Sequence, residues 1–252
     1  MKAEVVVGAP GDLARAFAEL FTAEARPAIA ARGRFSCALP GGSVAETFFP
    51  ALAAAPVAWE SVDFFWGDER AVPPEDPGSN FGLAKRLLLD RVGARPANIH
   101  RIAGEESDLD AAARAYEDDL VRTLGRPARL DLVVLGLGPE GHVCSLFPGH
   151  RLLAERGRLV APIYDSPKPP PTRITFTLPV LGEARTVCIA GFGASKAEAI
   201  RAAVEDPASS LPVALAARAA ARVVVLVDAA AAAGLSRSTL EGADPGGSDA
   251  SR

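Results

Sequence analysis

Short apolar runs alternate with helical patterns from one end of this chain to the other, and that alternation limits the possible folds more than any single motif does. The runs are "EVVVG", "RFSCALP", "VDFFWGD", "NIHRI", "LDLVVLGLG", "RLVAPIY", "RITFTL", "RTVCIAGF" and "ARVVVLVD". Between them, Leu13, Phe17, Leu20 and Phe21 follow a helical period, as do Ala112, Tyr116, Leu120 and Leu124. Pro27 is expected to kink or end the first of these helices. Strands that are apolar throughout must be covered on both faces, so the pattern predicts an α/β domain: a doubly wound, largely parallel sheet flanked by helices. Residues 1–233 read as one such domain. The segment 234–252, "GLSRSTLEGADPGGSDASR", has little to bury and reads as a disordered tail.

Sheets of this kind bind ligands beyond the carboxyl ends of their strands, so those ends are where chemistry is expected. Composition narrows what the ligand can be. A formal net charge of −4 over 252 residues gives no electrostatic footprint for nucleic acid or an anionic membrane. An anionic small molecule would therefore have to be met by local cations. The most apolar late stretch is interrupted by Arg218, Arg222 and Asp228 and does not read as a membrane span. Cys37, Cys144 and Cys188 form no Cys-x-x-Cys pair and have no zinc-ligand spacing. They read as reduced thiols, and the start "MKAEVVVGAP" has no apolar segment of signal-peptide length, so a cytoplasmic protein is expected.

Four strand ends carry candidate chemistry. In "RFSCALPGGSVAETF" the turn Gly41-Gly42-Ser43 precedes a helix, and Ser43 and Glu46 have capping-box spacing. Three readings stay open there: a phosphate cradle at a helix N-terminus, a plain cap, or Ser43 as a hydrolase nucleophile. In "VDFFWGDERAVPPEDPGSNF" a strand ends in Asp68, Glu69 and Arg70, so Arg70 can serve as a fixed cation oriented by Asp68, and Ser79-Asn80 begins the next helix. In "LDLVVLGLGPEGHVCSLFPG" the glycines match a dinucleotide fingerprint, but His142 and Pro148-Gly149 follow too soon for the helix that fingerprint needs. His142 reads instead as a general base past a glycine turn, with Glu140 fixing its tautomer. His100 reads as structural within a strand, and His150 as exposed after the Pro-Gly turn. In "DSPKPPPTRITFTL" four prolines stiffen a loop that presents Lys168 and Arg173 to an anion.

Taken together, "ALPGGSVAETF", "WGDERAVPPEDPGSNFGLAKRLL", "LGLGPEGHVCSLFPG" and "SPKPPPTRITFTLPVL" resemble the 6-phosphogluconolactonase family, which shares its fold with glucosamine-6-phosphate deaminase. The resemblance runs from about residue 5 to 228. It implies hydrolysis of 6-phosphoglucono-1,5-lactone in the pentose phosphate pathway with no metal or organic cofactor, and a sugar-phosphate lactone as the partner molecule. It places the family's histidine on His142, its Gly-Asp-Glu-Arg on Gly67 to Arg70, its Gly-Gly-Ser on Gly41 to Ser43, and its loop cations on Lys168 and Arg173. The family commonly has aspartate at Glu140 and alanine at Cys144. Competing readings are an amino-sugar phosphate deaminase or isomerase of the same fold, against which "SLFPG" speaks, a Ser43-dependent esterase, and a sugar-phosphate sensor without activity.

Overall fold

The computed structural model describes residues 3–241. In chain order the elements are β1 (Glu4–Val7), α1 (Pro10–Arg32), β2 (Phe35–Leu39), α2 (Gly42–Leu52), β3 (Val62–Trp66), β4 (Asp68–Arg70), α3 (Asn80–Leu87) and α4 (Leu109–Leu124). There follow β5 (Leu132–Gly136), β6 (Val160–Ile163), β7 (Arg173–Phe176), α5 (Leu178–Glu183), β8 (Thr186–Gly191), α6 (Ala197–Glu205), α7 (Pro212–Ala219), β9 (Arg222–Val227) and α8 (Arg237–Glu241). Six strands form one sheet in the order β1-β9-β8-β5-β2-β3, with every pairing parallel. The chain runs outward from β2 to β3 and then returns to the other side of β2 with β5. Those two neighbours therefore flank the topological switch point, where an open sheet of this type leaves a crevice.

Helix α1 buries Leu13, Phe17, Phe21, Ala25 and Ala28, the stripe its period predicts. Phe17 stacks on Phe48 of α2 at 4.7 Å, and Phe21 meets Phe35 of β2 edge-on at 5.0 Å. Each such fully buried ring stabilises by about 1.5–3 kcal/mol relative to exposure. That packing overrides Pro27: α1 continues through it to Arg32 and ends only at Gly33, whose φ of 73° suits a left-handed cap.

Three features differ from the sequence expectations. "RLVAPIY" and "RITFTL" do form strands, but β6 and β7 join β4 in a separate antiparallel sheet of order β4-β7-β6. The nine residues 164–172 that connect β6 to β7 are too few for a parallel crossover, which usually needs a dozen or more. "NIHRI" is not a strand: Ile99 makes a single parallel bridge to Phe64, after a turn of 3-10 helix over Pro96–Asn98. Gly234 to Glu241 are folded rather than part of a disordered tail. Leu235 is buried, Glu205 accepts hydrogen bonds from the Ser236 amide and the Thr239 hydroxyl, and α8 follows. The rest of that expected tail, 242–252, lies outside the described residues. Among the described residues no helix is long and apolar enough to cross a membrane.

Candidate active site

The carboxyl ends of β2, β3, β5 and β8 open on one side into a cleft enclosing about 740 Å³ of empty space, its solvent-filled mouth included. From the turn after β2 and the start of α2 it receives Gly41, Gly42 and Ser43, from the turn after β3 Gly67, and from β4 Asp68 and Arg70. His142 enters from the loop after β5, Lys196 from the loop after β8, and Arg173 from the small sheet.

The turn after β2 is built on two glycines. Gly41 is the N-cap of α2, and a Cβ there would lie 1.8 Å from Oδ1 of Asn80; Gly42 has φ 62°. Because the helix starts at Gly42, Ser43 falls inside its first turn and the expected capping box with Glu46 does not form. What remains is an 11-residue helix with its amino end at the cleft and no side-chain cap on its free amides, a setting that favours an anion.

After β5 the chain turns tightly at once. The Gly138 amide donates to the His142 carbonyl at 3.0 Å, and the Gly141 amide donates to the Gly138 carbonyl at 2.9 Å, with Gly141 at φ 85°. This turn folds Glu140 and His142 back over Gly138, where a Cβ would come within 2.0 Å of His142 Nδ1 and 2.6 Å of Glu140 Oε2. The fingerprint-like glycines thus serve a histidine–carboxylate pair, and no helix follows to receive a pyrophosphate. Nδ1 of His142 lies 2.9 Å from Glu140 Oε1, so a side chain one methylene longer than the family's aspartate still reaches. Burial pushes the Glu140 carboxyl up, but the Lys168 ammonium, its own backbone amide and His142 outweigh it, and the pKa falls to about 2. An ionised Glu140 can only accept, which places the proton on Nδ1 and leaves Nε2 with its lone pair. Burial and then the Lys168 charge hold His142 below the usual histidine pKa, against the opposing pull of Glu140. The ring is 16% exposed and packs at 4.7 Å from Phe147. A pKa held below 6.5 leaves the imidazole neutral at pH 7.

The chain matches the family described as glucosamine-6-phosphate isomerases/6-phosphogluconolactonase over residues 9–225. It belongs to that family. The 6-phosphogluconolactonase of Streptomyces coelicolor is 39% identical over 223 residues, which is 83% of this chain and 85% of that protein. Among solved structures, the 6-phosphogluconolactonase of Trypanosoma brucei superposes with a TM-score of 0.83 at 26% identity, covering 93% of this chain and 99% of that one. A monomeric glucosamine-6-phosphate deaminase shares the fold with a TM-score of 0.78 at 22% identity, over 93% of this chain and 100% of its own.

On this family scaffold the cations stand differently from the sequence expectation. Lys168 does not line the cleft: its ammonium pairs with both oxygens of Glu140, at 2.9 and 3.0 Å, and lies 3.4 Å from His142 Nδ1. Arg173 does reach the cleft, but it is buried at 4% exposure and the proline loop claims most of its donors. Nε donates to the Pro170 carbonyl at 3.0 Å, and Nη2 to those of Pro169 and Lys168 at 3.0 and 3.2 Å. Prolines lack an amide hydrogen but keep their carbonyls, so this loop is a cradle for a guanidinium. Asp68 does not orient Arg70. Its carboxylate accepts from the Ser145 hydroxyl at 2.7 Å and from Asn80 Nδ2 at 3.2 Å, and it lies 3.9 Å from Arg173 Nη1. Arg70 donates instead to the Gly78 carbonyl at 2.5 Å.

The sequence reading missed Lys196 as a cleft cation. It sits in "FGASKAEAI" at the end of β8, a strand-end position of the kind already flagged, and burial followed by the nearby Lys168 holds its pKa down. Cys144 lines the cleft, and burial and Asp68 push its thiol well above the usual range, so it stays neutral. Among the described residues no hydrogen bond joins Ser43 to a histidine. His100 is structural: it stacks on Phe65 at 4.3 Å and bonds Asp119 at 2.9 Å, although not within a strand. His150 is covered rather than exposed, with Nε2 3.0 Å from Asp165 and Nδ1 accepting from the Leu152 amide.

Proposed function

We propose that this chain hydrolyses 6-phosphoglucono-1,5-lactone to 6-phosphogluconate, a step of the pentose phosphate pathway carried out in the cytoplasm. The observation that carries the reading is a neutral His142 with Nδ1 tied to an ionised Glu140 at the rim of a cation-lined cleft, in a chain 39% identical to a 6-phosphogluconolactonase. Nε2 takes a proton from water as its oxygen attacks C1 of the lactone. The tetrahedral oxyanion is met by Arg70. The imidazolium then returns the proton to the ring oxygen as the C1–O bond breaks, which opens the lactone to the carboxylic acid.

The 6-phosphate rests on the Gly41 to Ser43 turn at the amino end of α2, with Lys196 and the remaining donor capacity of Arg173 as counter-charges. That grip sets C1 over the histidine. Lys168 stands behind the base, holding Glu140 ionised and depressing the His142 pKa. Ser43 contributes to the turn and not as a nucleophile.

Fresh 6-phosphogluconolactone assayed with and without the protein tests this, with the spontaneous rate subtracted. Hydrolysis well above background is expected, with no ammonia released from glucosamine 6-phosphate and no inactivation by a fluorophosphonate. Deamination of the amino sugar without lactone turnover would replace the reading with the deaminase one. Binding of 6-phosphogluconate without turnover would make the protein a sensor.

A further inference from the structure

The three charged side chains at the end of the "VDFFWGDER" segment do not share one task. Strand geometry sends alternate residues to opposite faces. Asp68 and Arg70 of β4 turn to the cleft, and Glu69 between them turns away. It is buried at 2% exposure; it acts on the Arg101 guanidinium by charge, but among the described residues it forms no salt bridge. Four donors converge on its two oxygens instead. Oε1 accepts from the amides of Arg70 at 2.8 Å and Asn80 at 2.7 Å, and Oε2 accepts from the Phe81 amide at 2.8 Å and the Ser79 hydroxyl at 3.0 Å.

Two of these bonds complete the cap of α3: Ser79 accepts only from the Gly82 amide at 3.0 Å, and Glu69 takes the free amides of Asn80 and Phe81 before it. What the carboxylate adds is a fixed distance between two cleft residues. A single oxygen joins the backbone of Arg70, at the end of β4, to the backbone of Asn80, ten residues later at the start of α3. Asn80 in turn donates from Nδ2 to the Asp68 carbonyl at 2.9 Å and packs its Oδ1 over Gly41, where a Cβ would be 1.8 Å away. One clamp therefore sets the Arg70 guanidinium relative to the anion-facing turn.

We infer that Glu69 is a positioning residue for the lactone reaction, acting through the backbone of Arg70 and Asn80 without touching substrate. This rests on the lactonase reading above. In Glu69→Gln the shape is kept, but the NH2 that replaces one oxygen must face a backbone N–H, so the four-donor set is broken and the clamp loosened.

The test is a cycle of wild type, E69Q, R70A and E69Q/R70A, followed by lactone kinetics and by thermal melting. E69Q is expected to lose about 10- to 100-fold in kcat/KM, the scale of a sub-ångström to ångström misplacement. In the R70A background the same change is expected to cost several-fold less, because the two losses share one route. E69Q that melts lower but keeps kcat and KM within twofold would make Glu69 a stabilising cap only and overturn the proposal. Losses that multiply in the double variant would overturn it as well. If E69Q does not fold, E69D enters the same cycle with the same two outcomes. If wild-type protein leaves the lactone at its spontaneous rate, the functional reading fails separately, and the same four proteins are compared by their Kd for 6-phosphogluconate, where additive losses would sink the clamp.

Discussion

His142 and Lys168 are opposed in their effect on one proton, and two predictions follow from that at the scale of single residues. His142→Gln keeps a polar side chain of similar reach but cannot take up and release a proton near neutral pH. Its kcat is expected to fall by about 10²–10⁴-fold, the usual range for a positioned acid or base, while 6-phosphogluconate binding by titration calorimetry survives. Wild-type kcat near intact in this variant, with loss in Ser43→Ala, would reverse the roles. Because burial and Lys168 depress the His142 pKa, the acid limb of the wild-type rate is expected below 6.5, the ordinary histidine value. Lys168→Ala removes one of the two lowering influences. The acid limb is then expected to move to higher pH, with a smaller change in KM than loss of a phosphate ligand would give. An unmoved limb and a large rise in KM would return Lys168 to the phosphate.

Glycine geometry belongs to the scale of elements, since each turn here exists to place a side chain from the next segment. Gly138 is required by the fold-back of its own loop, not by its backbone angles: a methyl there occupies the space of the His142 ring and of Glu140. Gly138→Ala is expected to leave the parallel sheet intact by circular dichroism and to lower kcat by about 10²-fold, the cost of an ångström's misplacement. Wild-type turnover in that variant would show that the loop relaxes around the methyl. The pair of sheets divides its labour in the same way. The parallel strands deliver the glycine turns and His142, and the small sheet delivers Asp68 and Arg70 from β4 and Arg173 from β7.

His100 ties elements together at the scale of the whole molecule. It lies between Asp63 of β3 and Asp119 of α4 and stacks on Phe65. Burial lowers its pKa, but Asp63, 3.6 Å from Nε2, and the hydrogen-bonded Asp119 outweigh that and raise it. A raised folded-state value means that the stabilisation is complete below 6.5 and is lost as pH rises through the folded pKa. Thermal melts of His100→Gln against wild type are therefore expected to differ most near pH 5.5 and to converge at pH 9. A constant difference would show that His100 acts by packing alone. No three His, Cys, Asp or Glu side chains among the described residues are grouped to hold a metal ion. Prolonged chelation is expected to leave the lactonase rate unchanged, and recovery of a chelated, inactive protein by zinc or magnesium would contradict this.

Period and turn chemistry are local, and what they encode was legible in the chain. The strand at "LDLVVLG", the helix through Ala112 and Tyr116, the cap at Ser79 and the glycine turns before Ser43 and His142 each follow from a few adjacent residues. Even the pairing of Glu140 with His142 needs only a tight turn two residues long. The choice of partner for a long charged side chain is different, because it depends on which distant segment the fold brings alongside. Lys168 meets Glu140 across 28 residues of sequence, and Arg173 meets the carboxylate of Asp68 only because β7 pairs with β4 in the small sheet. Lys196 reaches the cleft only because β8 lies beside β5. The separation of β4, β6 and β7 into their own sheet was hidden for the same reason: hydrophobic period marks a strand but not its neighbour, and neighbours are set by connection length and by which buried faces fit together.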